Sequence, residues 1–326
     1  MSGADARIPV TVLTGFLGAG KTTLLNRILS EVHGRRYAVI VNEFGELGID
    51  GGLVVGADEE VFELNNGCVC CKVRGDLMRV VGGLMKRRGR FDGILIETSG
   101  LAEPAPVAQT FFADDMVRQH TRLDSIVCVA DARSLPHTLA TYREAAEQIA
   151  LADTVLLNKI DLADAAALAL TKAAAARANP QARVLQAVRG EVAIDAILDR
   201  GAFDLSRLEL AEDDGHAARH RSRLHSDAID CVSLRRTRPL ERSRFMAWLQ
   251  RLVLEQGQDL LRAKGIVDLV GSDRRFVFNG VHMMMDTQLT GAWEAEAARE
   301  SRLVFIGRNL DREDMLQSLR LCEVDA

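Results

Sequence analysis

The stretch GFLGAGKTT, residues 15–23, decides the fold. Gly15, Gly20, Lys21 and Thr22 meet the spacing G-x-x-x-x-G-K-[ST], with the β-branched run IPVTVLT before them and the amphipathic KTTLLNRILSEV after them. Placement between a strand and a helix matters as much as the letters. Glycines let the loop turn so that backbone N–H groups converge on phosphate oxygens, and the helix starting near Lys21 aims its positive dipole end at the same charge. Lys21 is expected to reach the β- and γ-phosphates, and Thr22 to offer its hydroxyl to Mg²⁺.

Working outward from this loop, short β-branched runs alternate with longer amphipathic segments through the first two hundred or so residues. YAVIVN, EVFEL, FDGILIE, LDSIVCVAD, DTVLLN and ARVLQAV read as further strands, and LMRVVGGLMKRR as a helix between two of them. The fold class is α/β: a doubly wound, mostly parallel P-loop sheet. Near residue 205 the periodicity fades into LSRLELAEDDGHAARHRSRLHSD, a polar segment suited to a linker. The expected organisation is a nucleotide-binding domain at 1–204, a linker at 205–227 and a smaller α+β domain at 228–326. Within the last, RRFVFNGVHMMM reads as a strand, with the region after it unassigned.

A P-loop alone does not choose its nucleotide, and NKID supplies the choice. Asn158, Lys159 and Asp161 follow a strand directly, and an aspartate there accepts two hydrogen bonds from the N1–H and 2-amino edge of guanine. Adenine offers no such pair of donors. FDGILIETSG delivers Glu97 and Gly100 to the carboxyl edge of the sheet, where open parallel sheets bind their ligands. Glu97 takes the magnesium position that more often holds Asp. Gly100 is placed to offer its N–H to the γ-phosphate.

The stretch GCVCCK, residues 67–72, holds three of the chain's six cysteines. With 326 residues, a formal charge of −5 and 48% hydrophobic content, the chain reads as a globular protein with no electrostatic grip on nucleic acid or membrane. The start MSGADARIPV has no signal-peptide profile, so a cytoplasmic location is expected. Thiols there stay reduced, which makes a cluster more often metal-binding or redox-active than a structural disulfide. Cys68, Cys70 and Cys71 are therefore candidate ligands for Zn²⁺, with Co²⁺ or Ni²⁺ as other cargoes, in a loop opened by Asn66 and Gly67. Glu46 is the candidate fourth ligand, with Glu43 and Asp50 behind it. A redox switch and a closed structural site are the alternatives, the first disfavoured because the adjacent Cys70 and Cys71 bridge only under strain. Cys128, Cys231 and Cys322 stand singly in apolar surroundings as buried thiols. His216, His220 and His225 suit a solvated linker, and His282 a packing position on a strand.

In this order the segments GFLGAGKTTLLN, VNEFGELGID, NNGCVCCKVRGDL, ETSGLAEP and NKID, with RAKGIVDLV, FNGVHMMMD and FIGRNLD after them, resemble the CobW family of metallochaperone GTPases. The resemblance implies a GTP site at Gly18, Ala19, Gly20, Lys21, Thr22 and Thr23 with Asn158, Lys159 and Asp161, and a metal site at the C-x-C-C thiols. It also implies GTP hydrolysis coupled to metal transfer into a client metalloprotein. The family's dense histidine tract between domains is reduced here to three scattered residues, which weighs against metal storage in the linker. Metal, client and oligomeric state, a homodimer included, are left open. The exposed face of the second domain is a candidate client surface.

Overall fold

The strand at the centre of the first sheet is the one that feeds the glycine loop, and its neighbours on both sides run parallel to it. The computed structural model describes residues 7–31, 34–41, 60–63, 70–86, 89–203, 229–293 and 298–324. The chain divides into two compact units, Met1–Ala176 with Ala182–Gly201, and Arg177–Gln181 with Ala202–Ala326.

In the first unit the chain runs β1 (Ile8–Thr14), α1 (Lys21–Ser30), β2 (Tyr37–Val41), β3 (Glu60–Glu63), α2 (Cys70–Met85), β4 (Gly93–Glu97), α3 (Ala105–Ala113), α4 (Asp115–His120), β5 (Thr121–Asp131), α5 (Leu135–Thr141), α6 (Arg143–Leu151), β6 (Thr154–Asn158), α7 (Ala165–Ala178) and β7 (Arg183–Gln186). The seven strands form one parallel sheet in the order β3-β2-β4-β1-β5-β6-β7. From β1 the chain crosses to β2 on one side, whereas from β5 it crosses to β6 on the other. Such a switch point opens a crevice at the carboxyl ends of the strands. Burial follows from composition: Val10, Val12, Ile94, Leu95, Ile126 and Val127 are fully buried, as expected of strands covered on both faces. On one face Leu24, Leu25 and Ile28 of α1 close over Leu13, Leu95, Val127 and Leu156. α3, α4 and α6 also pack on β5.

The second unit is built from β8 (Ile229–Arg236), α8 (Arg242–Gln256), β9 (Leu260–Val267), β10 (Arg274–Val281), β11 (Met284–Ala292), β12 (Ser301–Arg308) and α9 (Arg312–Arg320). Its five-stranded sheet, ordered β11-β10-β9-β12-β8, is antiparallel throughout. Both helices start on carboxylate caps: Glu241 accepts from the N–H groups of Ser243 and Arg244, and Asp311 from those of Glu313 and Asp314. α8 lays Phe245 and Trp248 on a sheet face made by Phe276, Phe278 and Phe305. Phe245 lies 5.8–6.1 Å, ring centre to ring centre, from Trp248, Phe276 and Phe278.

Several expectations change. The run RRFVFNGVHMMM is a strand, a two-residue turn and the start of a second strand. His282, expected on a strand, holds the turn at φ 51°, with its N–H donating to Leu261 O at 3.1 Å. The unassigned region after it is β11. On the sheet face opposite the aromatic cluster Ile266, Val277, Val304 and Ile306 are also buried. Cys128 and Cys322 are buried as expected, while Cys231 is only partly so. Among the described residues no helix is long and apolar enough to cross a membrane. The linker histidines His216, His220 and His225 lie outside the described residues.

Phe245→Ala removes the ring at the middle of the aromatic cluster and is expected to cost about 3–5 kcal/mol. The chain's two tryptophans, Trp248 and Trp293, both belong to this unit, so the urea midpoint of tryptophan fluorescence reads the loss directly. An unshifted midpoint would exclude the ring from the cooperative core.

Candidate functional site

Because the sheet is parallel, the ends of β1, β4, β5 and β6 bring the loop at 15–20, Glu97, Asp131 and Asn158 to one edge. Gly20 caps α1 in the left-handed region at φ 106°, and a Cβ there would fall 2.3 Å from Asn158 Nδ2. Any other residue would meet both backbone strain and the Asn158 amide. The loop from Gly15 through Gly18 and Ala19 tightens on a hydrogen bond from Ala19 N–H to Phe16 O at 3.2 Å. Lys21, 8% exposed, folds its ammonium back over this loop, donating to Gly15 O at 2.8 Å and Phe16 O at 3.4 Å. Burial lowers its pKa, while the Glu97 carboxylate pulls the other way.

Thr22 and Thr23 occupy the exposed start of α1. The Thr22 hydroxyl donates to Glu97 Oε1 at 2.9 Å across the gap between α1 and β4. Glu97 is buried, and its strand end is fastened to β1 by Thr98 N–H to Leu13 O at 2.9 Å and by Thr98 Oγ1 to Thr14 Oγ1 at 3.0 Å. A hydroxyl and a carboxylate in direct contact are the hard oxygen donors that Mg²⁺ accepts, so the residues fit that ion. Gly100 follows three residues on, pressed against the loop: a Cβ there would lie 2.8 Å from Leu17 N.

Asn158, 2% exposed, spends its whole side chain on backbone. Its Nδ2 donates to Ala19 O at 3.0 Å, and its Oδ1 accepts from Gly190 N–H at 2.9 Å. Lys159 follows at φ 60°, sending its ammonium to Gly18 O at 2.5 Å and Asp131 Oδ2 at 2.9 Å. Burial alone would raise the Asp131 pKa, but hydrogen bonds from Lys159 and the Arg133 N–H outweigh it and hold the carboxyl below its ordinary value. Asp161 is exposed in the single 3-10 turn after β6.

Sequence reasoning missed Asp131 and Gly190. The first had a signal, since VCVAD ends a strand on a carboxylate at the sheet edge that carries the P-loop. Gly190 had none, because its role depends on where Asn158 points.

The thiols differ from expectation: Cys70 and Cys71 are the first two residues of α2, not part of a loop. Cys68, Glu43, Glu46 and Asp50 lie outside the described residues. Among the described residues no three His, Cys, Asp or Glu side chains gather to hold a metal.

Comparison with known proteins agrees with this arrangement. Residues 9–186 match the CobW/HypB/UreG nucleotide-binding domain, and residues 229–323 match the cobalamin synthesis protein cobW C-terminal domain. The zinc chaperone CobW of Pseudomonas aeruginosa is 38% identical, covering 97% of this chain and 91% of that protein. The crystal structure of the Zn(II)-bound YjiA GTPase from E. coli superposes with a TM-score of 0.78 at 30% identity, covering 98% of this chain and 99% of the other. A Zn(II)-bound triple mutant of YjiA, with one glutamate and two cysteines replaced by alanine, gives a TM-score of 0.79 at 29% identity over 98% and 99% of the two chains. With one domain match over the P-loop sheet, another over the antiparallel sheet and a CobW relative aligned along nearly its whole length, this chain belongs to the CobW family of P-loop GTPases.

Proposed function

We propose that this GTPase is a metallochaperone that hydrolyses GTP to GDP and phosphate and uses the γ-phosphate state to set the affinity of Cys68, Cys70 and Cys71 for a transition metal, Zn²⁺ foremost, before releasing it to a client metalloprotein. The observation that carries the reading is the meeting of Lys21, Thr22, Glu97 and Asn158 at one sheet edge, with Cys70 opening the helix whose far end leads into the strand of Glu97.

In this reading Gly15, Gly18, Ala19, Gly20 and Thr23 wrap the phosphates, and Lys21 leaves its carbonyl partners for the β- and γ-phosphate oxygens. Thr22 and Glu97 hold Mg²⁺, which when bound neutralises charge on those oxygens. Gly100 offers its N–H to the γ-phosphate. Asp161 reads the guanine edge, while Asn158 and Lys159 hold the loops on either side of the base. No arginine finger stands among these groups, so slow intrinsic turnover is expected. As thiol residues Cys70 and Cys71, the first two of α2, are soft ligands of the kind that Zn²⁺ takes. With Glu46 as a fourth, exchangeable ligand, the site would be open enough to pass its metal on. The names of relatives, zinc chaperones among them, favour Zn²⁺ over Co²⁺ or Ni²⁺.

Lys21→Ala is expected to lower kcat for GTP about 100-fold, by removing the cation that stabilises charge in the transition state; turnover at the wild-type rate would end the enzymatic reading. Asn158→Ala leaves Ala19 O and Gly190 N–H without their side-chain partner, so GDP should bind about 10- to 100-fold more weakly by titration calorimetry. For the metal, Zn²⁺ dissociation constants are compared with and without a non-hydrolysable GTP analogue. The wild type should show a shift of about 5- to 150-fold, with the same factor on nucleotide affinity when metal is varied. Replacing Cys68, Cys70 and Cys71 together by Ser should abolish that shift. Because a YjiA variant lacking one glutamate and two cysteines still holds zinc, the nucleotide-linked shift is the deciding readout, and a shift that survives the triple replacement puts the site elsewhere.

A further inference from the structure

Gln148, in α6, is fully buried, and both N–H bonds of its amide are spent on the loop after Glu97. Nε2 donates to Gly100 O and to Ala102 O, each at 3.1 Å. Two carbonyl acceptors require a donor, which fixes the amide's orientation and rules out a carboxylate of the same shape at this position. Oε1, by contrast, is buried with no hydrogen-bond partner among the described residues. Gln148 borders a cavity of about 20 Å³, room for one water, whose other walls include Phe16, Leu17 and Ala19 of the P-loop. Apolar Leu or Met would fill this place without stranding an acceptor, so packing alone does not account for an amide here.

The other side of the same loop is also fixed. Gly100 is wedged on Leu17, where a Cβ would come within 2.6 Å of Cδ2, and Ala102 N–H turns back to Ser99 O at 3.0 Å. α6 reaches the P-loop as well, through the Tyr142 ring at its start, 4.6 Å from the ring of Phe16. One helix therefore touches both the P-loop and the loop after Glu97.

We propose that Gln148 is a positioning residue for GTP hydrolysis: its amide holds the Gly100 and Ala102 carbonyls toward α6, and so fixes the orientation in which the Gly100 N–H meets the γ-phosphate. This rests on the reading of Gly100 given above. GDP has no γ-phosphate, so the effect belongs to GTP alone, which a structural defect in the nucleotide site would not reproduce.

The test compares Gln148→Leu and Gln148→Asn with wild type and Lys21→Ala, measuring kcat and KM for GTP and the dissociation constant for GDP. For Gln148→Leu, kcat is expected to fall about tenfold, with KM changed less than about threefold and GDP affinity within about twofold of wild type. Gln148→Asn keeps the donors on a shorter stem and should fall between. Wild-type kcat in Gln148→Leu, or a loss of GDP affinity as large as the loss of kcat, overturns the proposal. If the leucine variant does not fold, Gln148→Asn is judged on the same two readouts. Lys21→Ala separates the two levels: if it too turns over normally, the GTPase reading fails, whereas loss there with normal Gln148 variants defeats this inference alone.

Discussion

The side-chain amide of Asn158 ties the phosphate loop at Ala19 to the backbone of Gly190. An amide offers a donor and an acceptor at one end of a short stem, and both are used on main chain. Because it is almost wholly buried, leaving either backbone group unmet would carry the desolvation cost of a lost hydrogen bond, about 1–3 kcal/mol each. Gly20 follows from it, since the space a side chain would need is filled by Nδ2. So does the left-handed turn at Lys159, which swings the ammonium back to Gly18 and Asp131 instead of onward along the strand. The loop is thus shaped from β6 as much as from its own glycines.

That dependence explains which parts were legible in the sequence. Strand β1 and helix α1 announce themselves through β-branched alternation giving way to apolar residues at three- and four-residue spacing, and Lys21 and Thr22 sit at fixed offsets from them. Glu97 was readable because a buried strand ends on it. Gln148 was not, because in REAAEQIAL it looks like one more polar residue on a helix, and only the fold turns that face inward toward Gly100. The hairpin at His282 escaped for a different reason. Its two-residue turn has no glycine or asparagine, so VHMMM keeps an apolar texture across the break, and nothing local marks a residue at positive φ. The start of α2 at Cys70 was hidden by its cysteines and by Gly75, poor helix formers whose preference is overridden by context.

The position of that helix start constrains how nucleotide and metal can speak to each other in the proposed mechanism. β3 runs parallel to β2, so its end at Glu63 lies on the same edge of the sheet as the P-loop, and only residues 64–69 separate it from Cys70. Yet β2 and β4 stand between β3 and β1, which at about 4.8 Å per strand puts the end of β3 roughly 14 Å to the side of the end of β1. In the proposed mechanism coupling travels through chain that has two arrangements. One covalent path exists by topology: α2 carries Cys70 at its first residue and is the element before β4, the strand that ends on Glu97, the carboxylate in contact with Thr22. A shift of α2 along its axis would move the thiol end and the magnesium end together. The closely packed sheet resists such a shift in β4 itself, since Ile94, Leu95 and Ile96 are fully buried. In the proposed mechanism α2 would therefore have to move while β4 keeps its register between β1 and β2.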